Sequence, residues 1–199
     1  MEESKFDYDL ESYMNQMKFK LNTAIYSVTT VSNKGNQLGN KIQDLYNSIE
    51  KLSSKLNDNK FKEITDIANL KSDELNSCLK MLTHDIPSDI EYYANMEAKE
   101  HKISIPEVKY YRCYNIKHIH SQKTINTNID TQQLLDEINR KIYDVMQLTN
   151  SLNDTACNYN LCQYKVSNVA INISNISQSL MNNINQRCNE DKAWFMNLK

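Results

Sequence analysis

The stretch from Leu10 to Leu56 decides the fold class, and it reads LESYMNQMKFKLNTAIYSVTTVSNKGNQLGNKIQDLYNSIEKLSSKL. Residues at alternating steps of four and three along it are apolar, with Gly35 as the exception. They are Leu10, Met14, Met17, Leu21, Ala24, Val28, Val31, Gly35, Leu38, Ile42, Leu45, Ile49, Leu52 and Leu56. Such steps place every one of these side chains on a single stripe of a helix. The stretch therefore predicts a first helix over about residues 8–56 with a heptad seam.

The two glycines of this stretch leave two interpretations of the first helix. Gly35 could end the helix as a C-cap, because glycine adopts the left-handed conformation found there. The seam, however, keeps its phase through Gly35 and Gly39. We therefore predict one continuous or mildly kinked helix, in which Gly35 lets another backbone come close.

The remainder of the chain is also predicted to be mainly helical, because it contains only two glycines and two prolines. A polar cluster after residue 56 predicts a turn, and a second helix is predicted to follow it over about 60–85. This helix is expected to end before Pro87, because a residue before proline avoids the α region. Residues 1–86 would then form a helical hairpin. Residues 87–128 are predicted to hold a short helix over about 89–99 and then an extended linker or small β-hairpin.

Residues 129–199 contain no glycine or proline and carry an apolar side chain at every seventh position from Ile138 to Leu180. This pattern predicts one long C-terminal helix that packs back on the hairpin. The predicted class is thus all-α: an elongated antiparallel helical bundle or coiled coil with long helices and one irregular or short β segment.

The composition argues against several functional classes. The formal charge of −2 does not indicate a nucleic-acid binder, and no run approaches the apolar length of a membrane span. The acidic start is unlike a signal peptide, so an intracellular location, cytoplasmic or nuclear, is expected. The five cysteines are then expected to be reduced thiols.

No catalytic, cofactor or metal site is predicted. Cys113, His118 and His120, with His101 nearby, form one irregular triplet, whereas zinc sites usually combine two ligand pairs. Cys157 and Cys162 fall on helix seam positions, where a thiol serves as a small apolar side chain. A glycine-rich phosphate loop is absent from the sequence, so we expect neither an enzyme nor a bound cofactor.

The heptad seams are the predicted sites of protein interaction. Burial of these rows against self or foreign coiled-coil chains predicts a structural or adaptor subunit of a homo- or hetero-oligomer. The aromatic C-terminal end is interpreted either as a docking contact or as a cap on the core of the chain itself. The predicted interaction residues are Leu38, Ile42, Leu45, Ile49, Val166, Ile173, Leu180, Trp194 and Phe195.

An alternative function rests on a basic and aromatic segment at 99–123. Tyrosines that could stack on bases alternate there with cations, so the segment is a candidate for binding nucleic acid or another anionic surface. It could equally be a solvated surface or an intramolecular complement to the acidic first half. The predicted anion-binding residues are Lys102, Lys109, Arg112, Lys117 and Lys123.

Short matches along the first 90 residues point to a known family. They are Asp9-Leu10-Glu11, Asn40-Lys41-Ile42 followed by Asp44, Ile49, Leu52, Lys55 and Leu56, and Ile86-Pro87-Ser88. This region resembles the helical N-terminal part of the first subunit of the spindle- and kinetochore-associated (Ska) complex. The resemblance implies helical hairpins assembled with two other subunits and a microtubule-binding winged-helix domain after a linker. The second half departs from that pattern, because it is predicted to be one long helix.

Overall fold

The structure is a computed structural model that describes residues 2–120, 127–155 and 160–197, with side chains over 6–120, 127–155 and 162–190. Its helices are α1 (Glu2–Ser53), α2 (Asp58–Lys80), a π-helical turn (Met81–Asp85), α3 (Ile86–Glu100), α4 (Thr131–Asn153) and α5 (Asn160–Asn197). The predicted all-α class is confirmed. The described part of the chain contains no β-strand, and none of its helices is long and apolar enough to cross a bilayer.

Helix α1 runs through both glycines without a break and ends at Ser53. Its seam is buried from Leu21 to Leu52. At Gly35 the helix lies against the π-helical turn so closely that a β-carbon there would be only 2.9 Å from Leu82 Cβ. The close approach that the sequence indicates at Gly35 is therefore made by another helix of the same chain.

The prediction for the second helix is wrong at Ile86: α2 itself ends at Lys80, before Pro87, but Ile86 does not leave the α region as expected. The backbone stays right-handed helical through Met81 and Ile86, so α2, the π-helical turn and α3 follow one another directly. Proline lacks an N–H and crowds the carbonyl four residues earlier, which here belongs to Thr83. The wider turn relieves that crowding, and Thr83 O accepts a hydrogen bond of 3.0 Å from the Ser32 hydroxyl of α1.

The predicted single C-terminal helix is also wrong, because α4 ends at Asn153 and α5 begins at Asn160. At the end of α4 the Lys34 ammonium donates to the Ser151 carbonyl at 2.7 Å and to the Thr155 hydroxyl at 2.9 Å. A cation at this position satisfies helix-end carbonyls and suits the negative end of the helix dipole. The apolar row kept its spacing across the break, so periodicity alone did not reveal it.

Neighbouring helices run in opposite directions. Lys34 and Ser48 of α1 contact Ser151 and Glu137 of α4 respectively, so α4 runs antiparallel to α1. Similarly, Lys60 of α2 meets Glu190 of α5, while Asp89 of α3 meets Lys165 near the start of α5. The four helical lines of the bundle are thus α1, the α2–α3 line, α4 and α5.

A return segment, residues 101–130, carries the chain back from the end of α3 to the start of α4. After a turn at His101 and Lys102 its described residues form neither helix nor strand, so the predicted linker is present and the alternative hairpin is not seen there. Val108, Ile116 and Ile119 of this segment are buried against the helices. The segment is therefore an integral part of the bundle.

Candidate functional site

The residues predicted to bind partner chains lie in the core of this chain instead. The four on α1 are 0–1 % exposed and the three on α5 are 0–3 % exposed; they are Leu38, Ile42, Leu45, Ile49, Val166, Ile173 and Leu180. Their surface is already used within one chain, so a partner has to bind elsewhere. Trp194 and Phe195 lie outside the described side chains.

The seam of α1 continues beyond this core towards the N-terminus. Leu21 is fully buried, whereas no described side chain from residue 6 to residue 20 is buried. Leu10 is 51 % exposed, and Met14 and Met17 are half-buried. The apolar pattern thus extends about three turns past the part of α1 that the chain itself covers.

One row of residues on this N-terminal extension belongs to the row that contacts α4 further along α1. Residues 6, 13, 20, 27, 34, 41 and 48 share one row of α1, and Lys34 and Ser48 on that row contact α4. Phe6 and Tyr13 continue the same row past the end of α4 and are 71 % and 49 % exposed. The ring of Tyr13 packs edge to face against that of His101, just after α3, with 6.0 Å between the ring centres.

Helix α3 also carries exposed apolar side chains near α5. Asp89 pairs with Lys165 of α5 at 2.6 Å. Tyr93 and Met96 follow four and seven residues later, so they lie on the same face of α3. They are 49 % and 54 % exposed.

We call the exposed and half-buried apolar residues near the start of α1 the open end: Phe6, Leu10, Tyr13 and Met14. They lie before Leu21, from which the chain itself buries the seam. Contiguous exposed apolar surface on a soluble domain commonly marks an interaction site. The sequence contained a usable signal, since the predicted first helix was much longer than its predicted hairpin partner.

The return segment is held by side-chain amides. Asn69 Nδ2 donates to Ile119 O at 2.9 Å and Asn69 Oδ1 accepts from Ile119 N at 2.8 Å. Asn76 pairs with Ile116 in the same two-way manner, at 3.1 and 2.6 Å. The two asparagines lie seven residues apart on one face of α2, so that face supplies the partners that a neighbouring strand would otherwise supply.

The predicted anion-binding residues keep their charges in solvent, but the neighbouring tyrosines are part of the fold. Lys109 Nζ lies 5.2 Å from the ring centre of Tyr111, and Arg112 Cζ lies 5.3 Å from that of Tyr114. Lys102, Lys109, Arg112 and Lys117 are exposed, and Lys123 lies outside the described residues.

Two of these tyrosines are fixed through their hydroxyls. Tyr110 donates to Glu91 at 2.5 Å, and burial together with this bond raises the pKa of Tyr110 to about 12. Tyr114 donates to Asn40, and its ring covers Gly39. The predicted base-stacking site therefore consists of exposed cations beside tyrosines whose hydroxyls are fixed, and Tyr110 is 41 % exposed.

The side chains considered for metal binding have other partners. His118 Nε2 lies 2.8 Å from Asp73 Oδ1, and the rings of His118 and His120 are 5.7 Å apart. The Cys113 thiol is exposed and contacts the Tyr114 carbonyl. In the ranges that the structure describes, no three His, Cys, Asp or Glu side chains converge on one point.

A polar cluster joins α1 to α4 beside the core. Lys141 Nζ lies 2.7 Å from the Ser48 hydroxyl, 2.9 Å from Glu137 and 3.1 Å from Asp44. Hydrogen bonds from Lys141 and Ser48 hold the pKa of the Glu137 carboxyl below its usual value. Burial by itself would lower the pKa of Lys141, but the bonds to Glu137 and Asp44 raise it above its usual value.

Replacement of Glu137 by glutamine should reduce the pH dependence of stability in acid. Because the folded pKa of Glu137 is depressed, its ionised form stabilises the fold above the unfolded value of about 4.3, and this contribution is lost as the pH falls through the folded pKa. Glu137→Gln should lower the free energy of unfolding at pH 7 by about 0.5–1.5 kcal/mol. Urea unfolding at pH 7 and pH 3 measures both effects; an unchanged acid dependence would contradict the assignment.

Comparisons with protein-family models, with curated proteins and with solved structures found no match. The resemblance of the first 90 residues to the Ska subunit therefore stays a prediction from the sequence. The open end continues a seam that the chain itself buries from Leu21 onward.

Proposed function

We propose that this protein is a structural or adaptor subunit that joins a multi-protein assembly by binding partner helices at its open end. The observation that carries the proposal is the change in burial along one unbroken seam. Leu21 is fully buried by the chain itself, whereas Leu10, which lies three seam positions earlier, is 51 % exposed. A coiled-coil contact with a partner would extend the same seam by about two heptads.

The energetic argument rests on the apolar side chains of the open end. Complete burial of a Leu, Phe or Met side chain contributes roughly 1.5–3 kcal/mol. Phe6 and Leu10 each keep half or more of their surface in water. Docked helices would recover part of this free energy, and they would not need to disturb the existing core.

Variants on two faces of α1 can test the proposal. Leu10→Asp with Met14→Asp places charges on the open end, whereas Tyr8→Asp with Phe19→Asp places them on the opposite face, where both side chains are more exposed. When tagged chains are purified from the native source, the wild type and the Tyr8/Phe19 variant should retain the same bound companion proteins. The Leu10/Met14 variant should lose at least one of them.

Circular dichroism should show equal helicity and cooperative melting for both variants, because neither changes a buried residue. Retention of every companion by the Leu10/Met14 variant would overturn the proposed function.

A further inference from the structure

We propose that the open end binds the open end of a second copy of this chain, with the two α1 helices antiparallel across a two-fold axis. This inference rests on the proposed function, because it names one partner of that same site. The order of the charges along α1 and the exposure of one flank of its seam support it.

The N-terminal part of α1 carries its charges in two separate groups. The charged residues from position 6 to position 20 are Asp7, Asp9, Glu11, Lys18 and Lys20, and all of them are exposed. The acidic residues thus precede the seam residue Met14, and the lysines follow it. An antiparallel copy of this helix places acidic residues opposite lysines, whereas a parallel copy would place like charges together, which repels.

The positions of Glu11 and Lys18 fit a two-fold pair. They lie on one heptad row beside the seam, three residues before and four residues after Met14. In a two-fold contact, if residue i of one copy meets residue j of the other, then j also meets i. An axis beside Met14 therefore forms two ion pairs between Glu11 and Lys18. The same axis places the seam residues Leu10 and Met17 of one copy against the seam of the other.

The flank of α1 that holds Glu11 and Lys18 is accessible to a second helix. Ile25 continues the same heptad row and is buried within the chain, whereas Glu11 and Lys18 are exposed. Tyr13 lies on the other flank of the seam and packs on His101 of the same chain. A second α1 helix along the Glu11 flank would therefore leave the contact between Tyr13 and His101 in place.

Reversal of single charges tests the pairing in the full chain. In sedimentation equilibrium the wild type should approach twice the 23.3 kDa of one chain as its concentration rises. Glu11→Lys and Lys18→Glu should each raise the dissociation constant of the dimer by about tenfold, because two ion pairs become two repulsive contacts. An equimolar mixture of the two variants should restore the wild-type affinity, and so should a chain that carries both changes, because opposite charges then face each other again.

Two further variants serve as controls. Lys41→Glu makes the same change of charge at an exposed position of α1 outside the open end, so it should leave the dissociation constant unchanged. Leu10→Asp with Met14→Asp places charges in the proposed contact, so this variant should keep the mass of one chain while circular dichroism shows the helicity of the wild type.

The outcomes separate this inference from the proposed function. A wild type that keeps the mass of one chain would overturn the inference, and the proposed function would still stand if the Leu10/Met14 variant lost other companion proteins. A dimer that neither Glu11→Lys nor Lys18→Glu weakens would overturn the antiparallel pairing. A dimer that the Leu10/Met14 variant retains would show that the two copies meet elsewhere and would also overturn the inference. The companions lost or kept in the purification experiment decide the proposed function independently.

Discussion

Ile42→Asp combined with Ile49→Asp is expected to unfold the whole chain at neutral pH. Both isoleucines lie in the α1 seam and are 0–1 % exposed in the core of a single chain. Loss of each buried aliphatic side chain costs about 2–5 kcal/mol, and burial of an unpaired carboxylate adds a desolvation penalty. The two changes together should exceed the roughly 5–15 kcal/mol by which domains are stable.

Far-UV circular dichroism during heating measures this effect. The double variant should have little helical signal and no cooperative transition, whereas Leu10→Asp with Met14→Asp, on the exposed part of the same seam, should melt as the wild type does. A folded Ile42/Ile49 variant that merely lost its companions would show that these residues bind a partner, as the sequence indicates, and would contradict their place in the intramolecular core.

The burial of these seam residues illustrates what a heptad pattern can and cannot predict. The pattern correctly indicated that Leu38, Ile42 and Ile49 are buried on one stripe of a long helix. It carries no information about which chain covers the stripe, because the physical requirement is satisfied equally by an internal or a foreign helix. The identity of the covering surface depends on contacts distant in sequence.

The helical path through Pro87 and the break after Asn153 both depend on contacts between residues distant in sequence. The rule that the residue before a proline avoids the α region considers only crowding between neighbouring residues. It does not include the hydrogen bond that Ser32, 51 residues from Thr83, donates to the Thr83 carbonyl in the widened turn. The break after Asn153 is stabilised by Lys34, 117 residues from Ser151. In both places a side chain distant in sequence stabilises the backbone conformation. The spacing of apolar residues carries no information about such a contact.

The open end was more accessible to prediction than these boundaries. Its seam residues, Leu10 and Met14, were identified from spacing alone, and only their lack of cover required the structure. The two-way bonds of Asn69 and Asn76 were not accessible, because an extended segment with few apolar anchors has no period that would fix its position. Its path along α1 therefore needs an experimental check of its own.

Gly39→Ala should destabilise the wild type by about 1–2 kcal/mol, although alanine normally favours a helix interior by about 1 kcal/mol over glycine. The added β-carbon would lie 2.5 Å from Cγ and 2.7 Å from Cβ of Tyr114, so the ring and the backbone that carries it would have to shift. In a Tyr114→Gly background both the ring and its β-carbon are absent, so the obstruction is removed. There Gly39→Ala should stabilise the chain by about 1 kcal/mol through helix propensity.

A change from destabilisation to stabilisation by Gly39→Ala would place the Tyr114 part of the return segment on α1. Urea unfolding of the four chains gives a coupling free energy between positions 39 and 114, expected at about 2–3 kcal/mol. Gln37→Ala, at an exposed position of the same helix, serves as the propensity control and should be mildly stabilising in both backgrounds. If Gly39→Ala stabilised both backgrounds equally, Tyr114 could not lie on Gly39. A large coupling can arise only if the ring packs there, because residues without shared contacts combine additively.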